Sequence, residues 1–463
     1  MKGVERSMKR TSGERVLRSI LPALAAALLA PMPNVALAQG WETAGRPSAL
    51  QREIEDRVSR DLRPFYAARR FRPLWLNELG RPSGAATMLM HRLRTAEIDR
   101  VDPQKLRFQR LAKLVDKARR GDEDDIAKAE VALSTGFAAY VRAMRAADRS
   151  EMIYESAALA PVVPTARSAL EAAAGADSLE HYVAEMRWMH PLYAPLREAM
   201  EDPRFSQGQR QQLWNNLMRV RAIPAIPQGR HVLVDTASAT LWMYEDGRVV
   251  DSMKVVVGKP ELQTPTMAGF IRFAILNPYW FVPDDLVQNN IAASVLDRGV
   301  GYLRNGGYQV FANWTQGAPQ LDPATVDWRA VHEGRQRVHV RQLPGGSNFM
   351  GKVKFMFPNP QGIYLHDTPD KQLLNLDARQ LSSGCVRLQD AARFHRWLMG
   401  KPLPSRVRNP EQVEPLPEMV PIYITYLTAM PQGRQIAFHA DPYGRDIRGM
   451  ALADSRSARS DRP

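Results

Sequence analysis

Residues 231–257 read His231-Val-Leu-Val-Asp235, Thr240-Leu-Trp-Met-Tyr244, Glu245-Asp-Gly-Arg248 and Val249-Val-Asp-Ser-Met-Lys-Val-Val-Val257. Two runs rich in β-branched and aromatic residues flank a short turn, and Asp-Gly then marks a hairpin into a third run. The same texture returns at Phe270–Leu276, Val338–Val340 and Ile363–His366, and most strongly at Pro421–Ala429. One helix, Asp390 to Met399, breaks it, with Asp390 placed to cap its N-terminus. Upstream, the linker Ile223-Pro-Ala-Ile-Pro-Gln-Gly229 separates this β-rich half from a helical one. From Leu50 to Arg221 apolar residues recur at helical spacing, most clearly Ile126, Ala129, Leu133, Phe137, Tyr140, Val141 and Met144 between Asp122 and Asp148. Further helices are expected near 49–62, 84–95, 104–119, 166–173, 178–187 and 206–221. The fold class is therefore α+β: an all-helical domain over 39–229, then a β-rich domain over 230–430.

Residues 284–350 interrupt the β pattern with a helix-like run, Asp284–Asp297, and a Gly-rich turn region, Gly299–Gly307. An insertion of this kind beside a site is expected to be a lid; structural decoration is the alternative. Residues 431–463 form a C-terminal extension, and its polar end is expected to be disordered.

The N-terminus has the form of an export signal. Residues 1–18 carry six basic side chains, an apolar run follows from Ile20 to Ala30, and Ala36-Leu37-Ala38 offers a small-x-small cleavage site. Cleavage after Ala38 is expected to deliver the chain to the periplasm with no membrane span; an uncleaved N-terminal anchor is the alternative. Cleavage removes six positive and two negative charges, taking the formal net charge from +14 to +10. A basic exported protein suits an anionic wall polymer or membrane surface better than nucleic acid. The single cysteine, Cys385, excludes a disulfide scaffold and any Cys₄ or Cys₂His₂ zinc site. Unpaired in an oxidising compartment, it is either an inert core residue or a thiol kept for chemistry.

The chemical signal is Tyr364-Leu-His366-Asp-Thr-Pro369 followed by Leu381-Ser-Ser-Gly384-Cys385-Val-Arg387-Leu. His366 and Cys385, 19 residues apart, each end a strand-like run, so neighbouring strands could bring them together. A thiolate is the nucleophile and a nearby imidazole can generate it. Gly384 permits a tight backbone approach with main-chain N–H groups aimed at an oxyanion. No His-Glu-x-x-His or other clustered ligand set suggests a metal, and no cofactor is expected.

The wording of these two segments resembles the YkuD-type L,D-transpeptidases, in their large murein (YcbB-like) branch. Val255-Val-Val-Gly-Lys259 with Thr264-Pro265, Asn277-Pro-Tyr-Trp280-x-Val-Pro283, Gly301-Tyr302-Leu303, Gly351–Phe357, Pro421-Ile-Tyr-Ile-Thr-Tyr and Tyr443-Gly-Arg-Asp446 look similar as well. In the helical half, Tyr66-x-x-x-x-Phe71-x-Pro73-Leu-Trp75 and 122–140 resemble the family's scaffold region. The resemblance implies peptidoglycan stem peptides as donor and acceptor. Cys385 would attack the carbonyl of the diamino acid of a tetrapeptide and release D-Ala, and the thioester would pass to the amine of a second stem, forming a 3→3 cross-link. His366 would be general base and then acid, and Gly384, Cys385 and Ser383 would supply the oxyanion hole. Asp367, by main chain or side chain, would orient the imidazole or touch substrate. Arg387 would hold a substrate carboxylate or form a structural ion pair. Tyr364 and Trp280 would line the groove or belong to the core. Carbapenems should acylate Cys385, and cell-wall synthesis proteins are possible partners.

Between His190-Pro-Leu-Tyr193 and Trp214-Asn-Asn-Leu217 only about 20 residues remain, which leaves no room for the peptidoglycan-binding module that the branch usually carries there. The competing functions are an L,D-carboxypeptidase or D-amino-acid exchange on the same stem, and a non-catalytic wall-binding scaffold.

Overall fold

The computed structural model describes residues 47–146, 152–226, 228–315 and 317–446. The expected export segment, 1–38, and the end of the extension, 452–463, lie outside the described residues. No helix among those described is long and apolar enough to cross a membrane.

Among the described residues, nine α-helices build the N-terminal part: α1 (Ala49–Arg57), α2 (Arg63–Ala68), α3 (Gly84–Arg94), α4 (Phe108–Ala118), α5 (Glu123–Arg145), α6 (Ala166–Ala174), α7 (Leu179–Ala184), α8 (Tyr193–Glu201) and α9 (Gln207–Val220). Their starts are set by side-chain caps. Ser83, Asp122, Thr165, Ser178 and Ser206 each accept a main-chain N–H of the first turn. The long α5 is the central helix, and Ile126, Ala129, Leu133, Phe137, Tyr140, Val141 and Met144 are all buried along it. Its polar members have specific work. The Glu130 carboxylate accepts the N–H groups of Leu74, Trp75 and Leu76 and the hydroxyl of Tyr66, while Ser134 takes the Trp75 indole N–H. A buried carboxylate satisfied four times over pins the Pro73-Leu-Trp75 turn onto the helix.

Several helices differ from the sequence expectation. The run expected at 49–62 ends at Arg57 and gives way to a turn over 58–62, α2 and α8 lie outside the expected stretches, and α4 starts at Phe108 because Arg107 adopts a left-handed φ of 53°. The helical part is also not purely helical. A two-residue strand, β1 (Ile153–Tyr154), pairs in parallel with the downstream sheet at Met267 and Ala268.

The β-rich half closes on itself. Its strands are β2 (Arg230–Asp235), β3 (Thr240–Glu245), β4 (Arg248–Gly258), β5 (Met267–Leu276), then β6–β9 in the insertion, β10 (Val353–Met356), β11 (Leu365–His366), β12 (Gln380–Ser382), β13 (Val386–Leu388) and β14 (Gln412–Thr425). Around the ring the order is β5-β10-β11-β13-β4-β3-β2-β14, and β14 returns to pair with β5, an eight-stranded barrel. Two of the pairings are parallel, β11 with β13 and β14 with β2. Alternation along the strands divides the apolar residues. Val232 and Val234 join the core inside the barrel, and Leu233 between them joins the scaffold core. One apolar cluster therefore runs from the helices onto the outer wall of the barrel, taking in Leu233, Tyr244, Ala268, Tyr423 and Leu427.

The insertion is a small unit with its own core. It holds a four-stranded sheet of β6 (Trp280–Val282), β9 (His339–Gln342), β7 (Tyr308–Phe311) and β8 (Gln320–Leu321), in that order. Helices α10 (Asp284–Leu286), α11 (Ala292–Arg298), α12 (Gly301–Asn305) and α13 (Trp328–His332) cover it, with a π-helical turn over Val287–Ile291 joining α10 to α11. Helix α14 (Ala391–Met399), capped by Asp390, follows β13, and a hairpin of β15 (Ala429–Gln432) and β16 (Gln435–Phe438) follows β14.

The seam between scaffold and barrel contains two fully buried histidines. His190 and His231 face each other with Nε2 atoms 3.4 Å apart, and His231 stacks on Tyr244. Burial holds both imidazoles below their ordinary range, His231 at about 4, and His231 itself pushes His190 further down. The folded seam keeps the His231 ring neutral while the unfolded chain takes up a proton below about pH 6.5, so stability is complete above that value and is lost as pH falls toward 4. We expect the melting temperature to drop between about pH 7 and about pH 4.5, with His231 contributing on the order of 3 kcal/mol. A His231→Phe variant should show a flatter profile; an identical pH dependence would remove His231 from the effect.

Candidate active site

The parallel register of β11 and β13 builds the site. Leu365 lies opposite Val386 and His366 opposite Arg387. Because side chains alternate across a strand, Tyr364, His366, Cys385 and Arg387 project from one face, with Cys385 and His366 as diagonal neighbours. On the other side β11 pairs with β10, which places Lys354 opposite His366.

The imidazole is held by the main chain. His366 Nδ1 lies 2.6 Å from the Asp367 carbonyl oxygen. That oxygen only accepts, so Nδ1 carries the proton and the Nε2 lone pair is left for a base. Of the two ways in which Asp367 could orient the ring, the structure uses the main chain. The Asp367 carboxylate is committed elsewhere, to Lys371 Nζ at 2.8 Å and the Lys352 N–H at 3.0 Å.

The nucleophile candidate sits on a braced turn. Gly384 has a φ of +121°, a region that side chains rarely adopt, and a Cβ there would lie 3.2 Å from Ile363 Cδ1. The Gly384 N–H, expected to face an oxyanion, instead donates to Ser382 Oγ at 3.1 Å, and the Ser382 hydroxyl donates to the Cys385 carbonyl at 2.6 Å. Ser383 is exposed at the tip of the turn. The Thr264 hydroxyl holds the Gly384 carbonyl at 2.7 Å. Cys385 is half-buried, and its thiol points at the Gly362 carbonyl at 3.8 Å; among the described residues it makes no hydrogen bond to His366.

Trp280 does not line this face. It is turned into the insertion's core against Phe349, with ring centroids 4.8 Å apart. By alternation its neighbour Phe281 takes the outward side, where Lys354 Nζ lies 5.8 Å from its ring centre. Lys354 is in turn paired with Glu411 at 3.2 Å. Ser382, Thr264, Lys354, Glu411 and Phe281 were not singled out as site residues from sequence. Thr264, Phe281, Lys354 and Ser382 stood within family-like segments but carried no role there, and Glu411 lay outside all of them; pairing between distant strands is what brings them here.

Residues 229–407 match the family model of the YkuD L,D-transpeptidase catalytic domain, and residues 60–200 match that of the Scaffold domain. This chain carries an L,D-transpeptidase catalytic domain. A curated Haemophilus influenzae protein, named among the L,D-transpeptidases, is 30% identical over 243 residues, 51% of this chain and 48% of that protein. The chain thus spans about half the length of that relative. Among solved structures, an L,D-transpeptidase from Mycobacterium smegmatis has 15% identity over 42% of this chain and 59% of its own, with a TM-score of 0.21. The catalytic domain of an E. faecium L,D-transpeptidase has 14% identity over 42% of this chain and 97% of its own, with a TM-score of 0.19.

Electrostatics in this catalytic domain favour neutral groups at rest. Burial, reinforced by the Arg387 guanidinium, pushes His366 down to about 3. Burial pushes the Cys385 thiol up, partly opposed by the main-chain N–H and hydroxyl of Tyr364 and by Arg387. Both shifts favour a neutral thiol and a neutral imidazole over a thiolate–imidazolium pair. The rate of Cys385 alkylation by iodoacetamide should keep rising with pH beyond about 9, without a thiolate plateau between about pH 4 and 7. Such a plateau, measured on the folded protein, would contradict this assignment.

Proposed function

We propose that this protein is an exported peptidoglycan L,D-transpeptidase that forms 3→3 cross-links. The observation that carries the reading is the single face shared by Cys385, His366, Tyr364 and Arg387 within an L,D-transpeptidase catalytic domain. The Cys385 Sγ attacks the carbonyl of the third, diamino residue of a stem tetrapeptide. His366 Nε2 takes the thiol proton as the S–C bond forms, while the Asp367 carbonyl keeps the ring in the required tautomer. Charge develops on the former carbonyl oxygen, and the Cys385 N–H is the donor that we assign to it, with the Ser383 N–H beside it. The C–N bond to D-Ala then breaks, and His366 returns its proton to the leaving amine. The side-chain amine of a second stem attacks the thioester, gives up its proton through His366, and restores the thiol.

Arg387 is the reading's anionic subsite. Its Nε is buried and has no hydrogen-bond partner among the described residues, and the nearby Asp370 Oδ1 is likewise unpartnered. A guanidinium left in this state beside the nucleophile suits the D-Ala carboxylate of the donor. The insertion over 284–350 serves as a lid, and Phe281, on the strand β6 that leads into it, faces incoming substrate. Segment 1–38 directs the chain to the periplasm, and the basic surface favours the anionic wall.

Mass spectrometry of the protein with disaccharide-tetrapeptide, beside Cys385→Ala, tests the proposal. A Cys385-dependent dimer lacking one D-Ala is expected. Cys385-dependent tripeptide without dimer would mean hydrolysis, and no reaction in either protein would overturn the reading. His366→Ala should lower the acylation rate by on the order of 10²–10⁴. Arg387→Gln should lower kcat/KM by about tenfold or more, mostly through KM. A carbapenem should add to Cys385 as an intact-mass adduct that the Cys385→Ala variant lacks.

A further inference from the structure

The peptide unit between Gly384 and Cys385 is planar and trans, so its C=O and N–H point in opposite directions. Whatever holds the Gly384 carbonyl therefore aims the Cys385 N–H. The holder is Thr264, fully buried, whose hydroxyl oxygen accepts the Gly258 N–H at 2.9 Å and whose single proton goes to the Gly384 carbonyl. Gly258 is fixed from its other side. The Tyr443 hydroxyl donates to the Gly258 carbonyl at 2.5 Å, and Tyr443 also touches Thr264. The backbone is tightly stacked here: a Cβ on Gly258 would lie 2.2 Å from the Leu262 carbonyl oxygen.

Tyr443 comes from the C-terminal extension, far in sequence from the catalytic residues. It stacks on Tyr426 with ring centres 5.3 Å apart, and Arg445 lies 5.1 Å from the centre of each ring. Arg445 also grips the loop below the nucleophile, reaching Gln263 Oε1 at 2.9 and 3.1 Å and Thr266 Oγ1 at 2.7 Å. The next residue, Asp446, pairs with Arg219 of α9 at 2.6 Å and accepts the Thr428 hydroxyl at 2.7 Å. Residues 443–446 thus form a strap with one end on a scaffold helix and the other beneath the Gly384 carbonyl.

We propose that Tyr443 and Thr264 are positioning residues for the acyl-transfer step, holding the Gly384–Cys385 peptide so that the Cys385 N–H faces the developing oxyanion. Arg445 and Asp446 anchor this arrangement to scaffold helix α9. The inference rests on the transpeptidase reading of the site. It also explains why this peptide needs outside support: glycine at 384 leaves its plane free to rotate, so the orientation has to come from its partners.

Two reactions of the same thiol separate positioning from general damage. Acylation by stem peptide or a carbapenem develops an oxyanion; alkylation by iodoacetamide does not. Thr264→Val and Tyr443→Phe, which remove the hydroxyls, should each slow acylation about tenfold, the loss of one buried hydrogen bond. KM and the alkylation rate should stay within about twofold, and Thr264→Ser should restore acylation because it keeps the hydroxyl. Wild-type acylation with both variants unchanged would overturn the inference alone. So would a loss of acylation matched by an equal loss of alkylation, which would mark a structural role. A wild-type protein that neither substrate nor carbapenem acylates would overturn the transpeptidase reading, and the inference with it.

Discussion

Two residues of parallel pairing between β11 and β13 are the constraint on which the site depends. Opposing His366 to Arg387 places His366, Cys385, Tyr364 and Arg387 on one face. A slip of one residue would turn every member of one strand to the opposite side. So short a pairing has little stability of its own. Its register is enforced by neighbours: β10 on one flank, β4 on the other, and the barrel interior, where Leu365 and Val386 are fully buried. The apolar residues that alternate with His366 and Cys385 hold those side chains in place.

The scaffold is part of the same mechanical body. Its helices share one apolar cluster with the outer face of β2, β3 and β14, and polar bonds stitch the edge. Asn216 exchanges hydrogen bonds with Thr428, donating to its hydroxyl at 2.9 Å and accepting its N–H at 2.8 Å. Gln212 reaches the Thr428 and His439 carbonyls. The Trp214-Asn-Asn-Leu217 segment therefore acts as a connector between helices and barrel.

Much of this was legible in sequence, and the division follows physical lines. Helix α5 announced itself through its apolar period, and β2, β3 and β4 through β-branched runs and the Asp-Gly turn. His366 and Cys385 stood out because few residue types do this chemistry and this chain has a single thiol. What sequence did not reveal was non-local. Barrel closure by β14 depends on pairings with β2 and β5 that no local pattern encodes. The exchange of Trp280 for Phe281 is a matter of strand phase, visible only once β6 is paired with β9. The commitment of the Gly384 N–H to Ser382 is a turn geometry, and Ser-Ser-Gly reads equally well either way.

Closure by β14 has a consequence for how the chain folds. The strand that seals the barrel lies at 412–425, and it joins β2 in parallel at 232 and β5 at 267–276. A chain made from its N-terminus forms the β2–β3–β4 meander early but leaves the edge of β2 and the facing edge of β5 without this partner until the late segment arrives. Contacts so distant in sequence make for slow, late completion. Throughout that interval the lone cysteine has no second thiol in the chain with which to be trapped in a wrong internal bridge. The residue that we propose as nucleophile thus leaves the waiting intermediate free of oxidative dead ends within the chain.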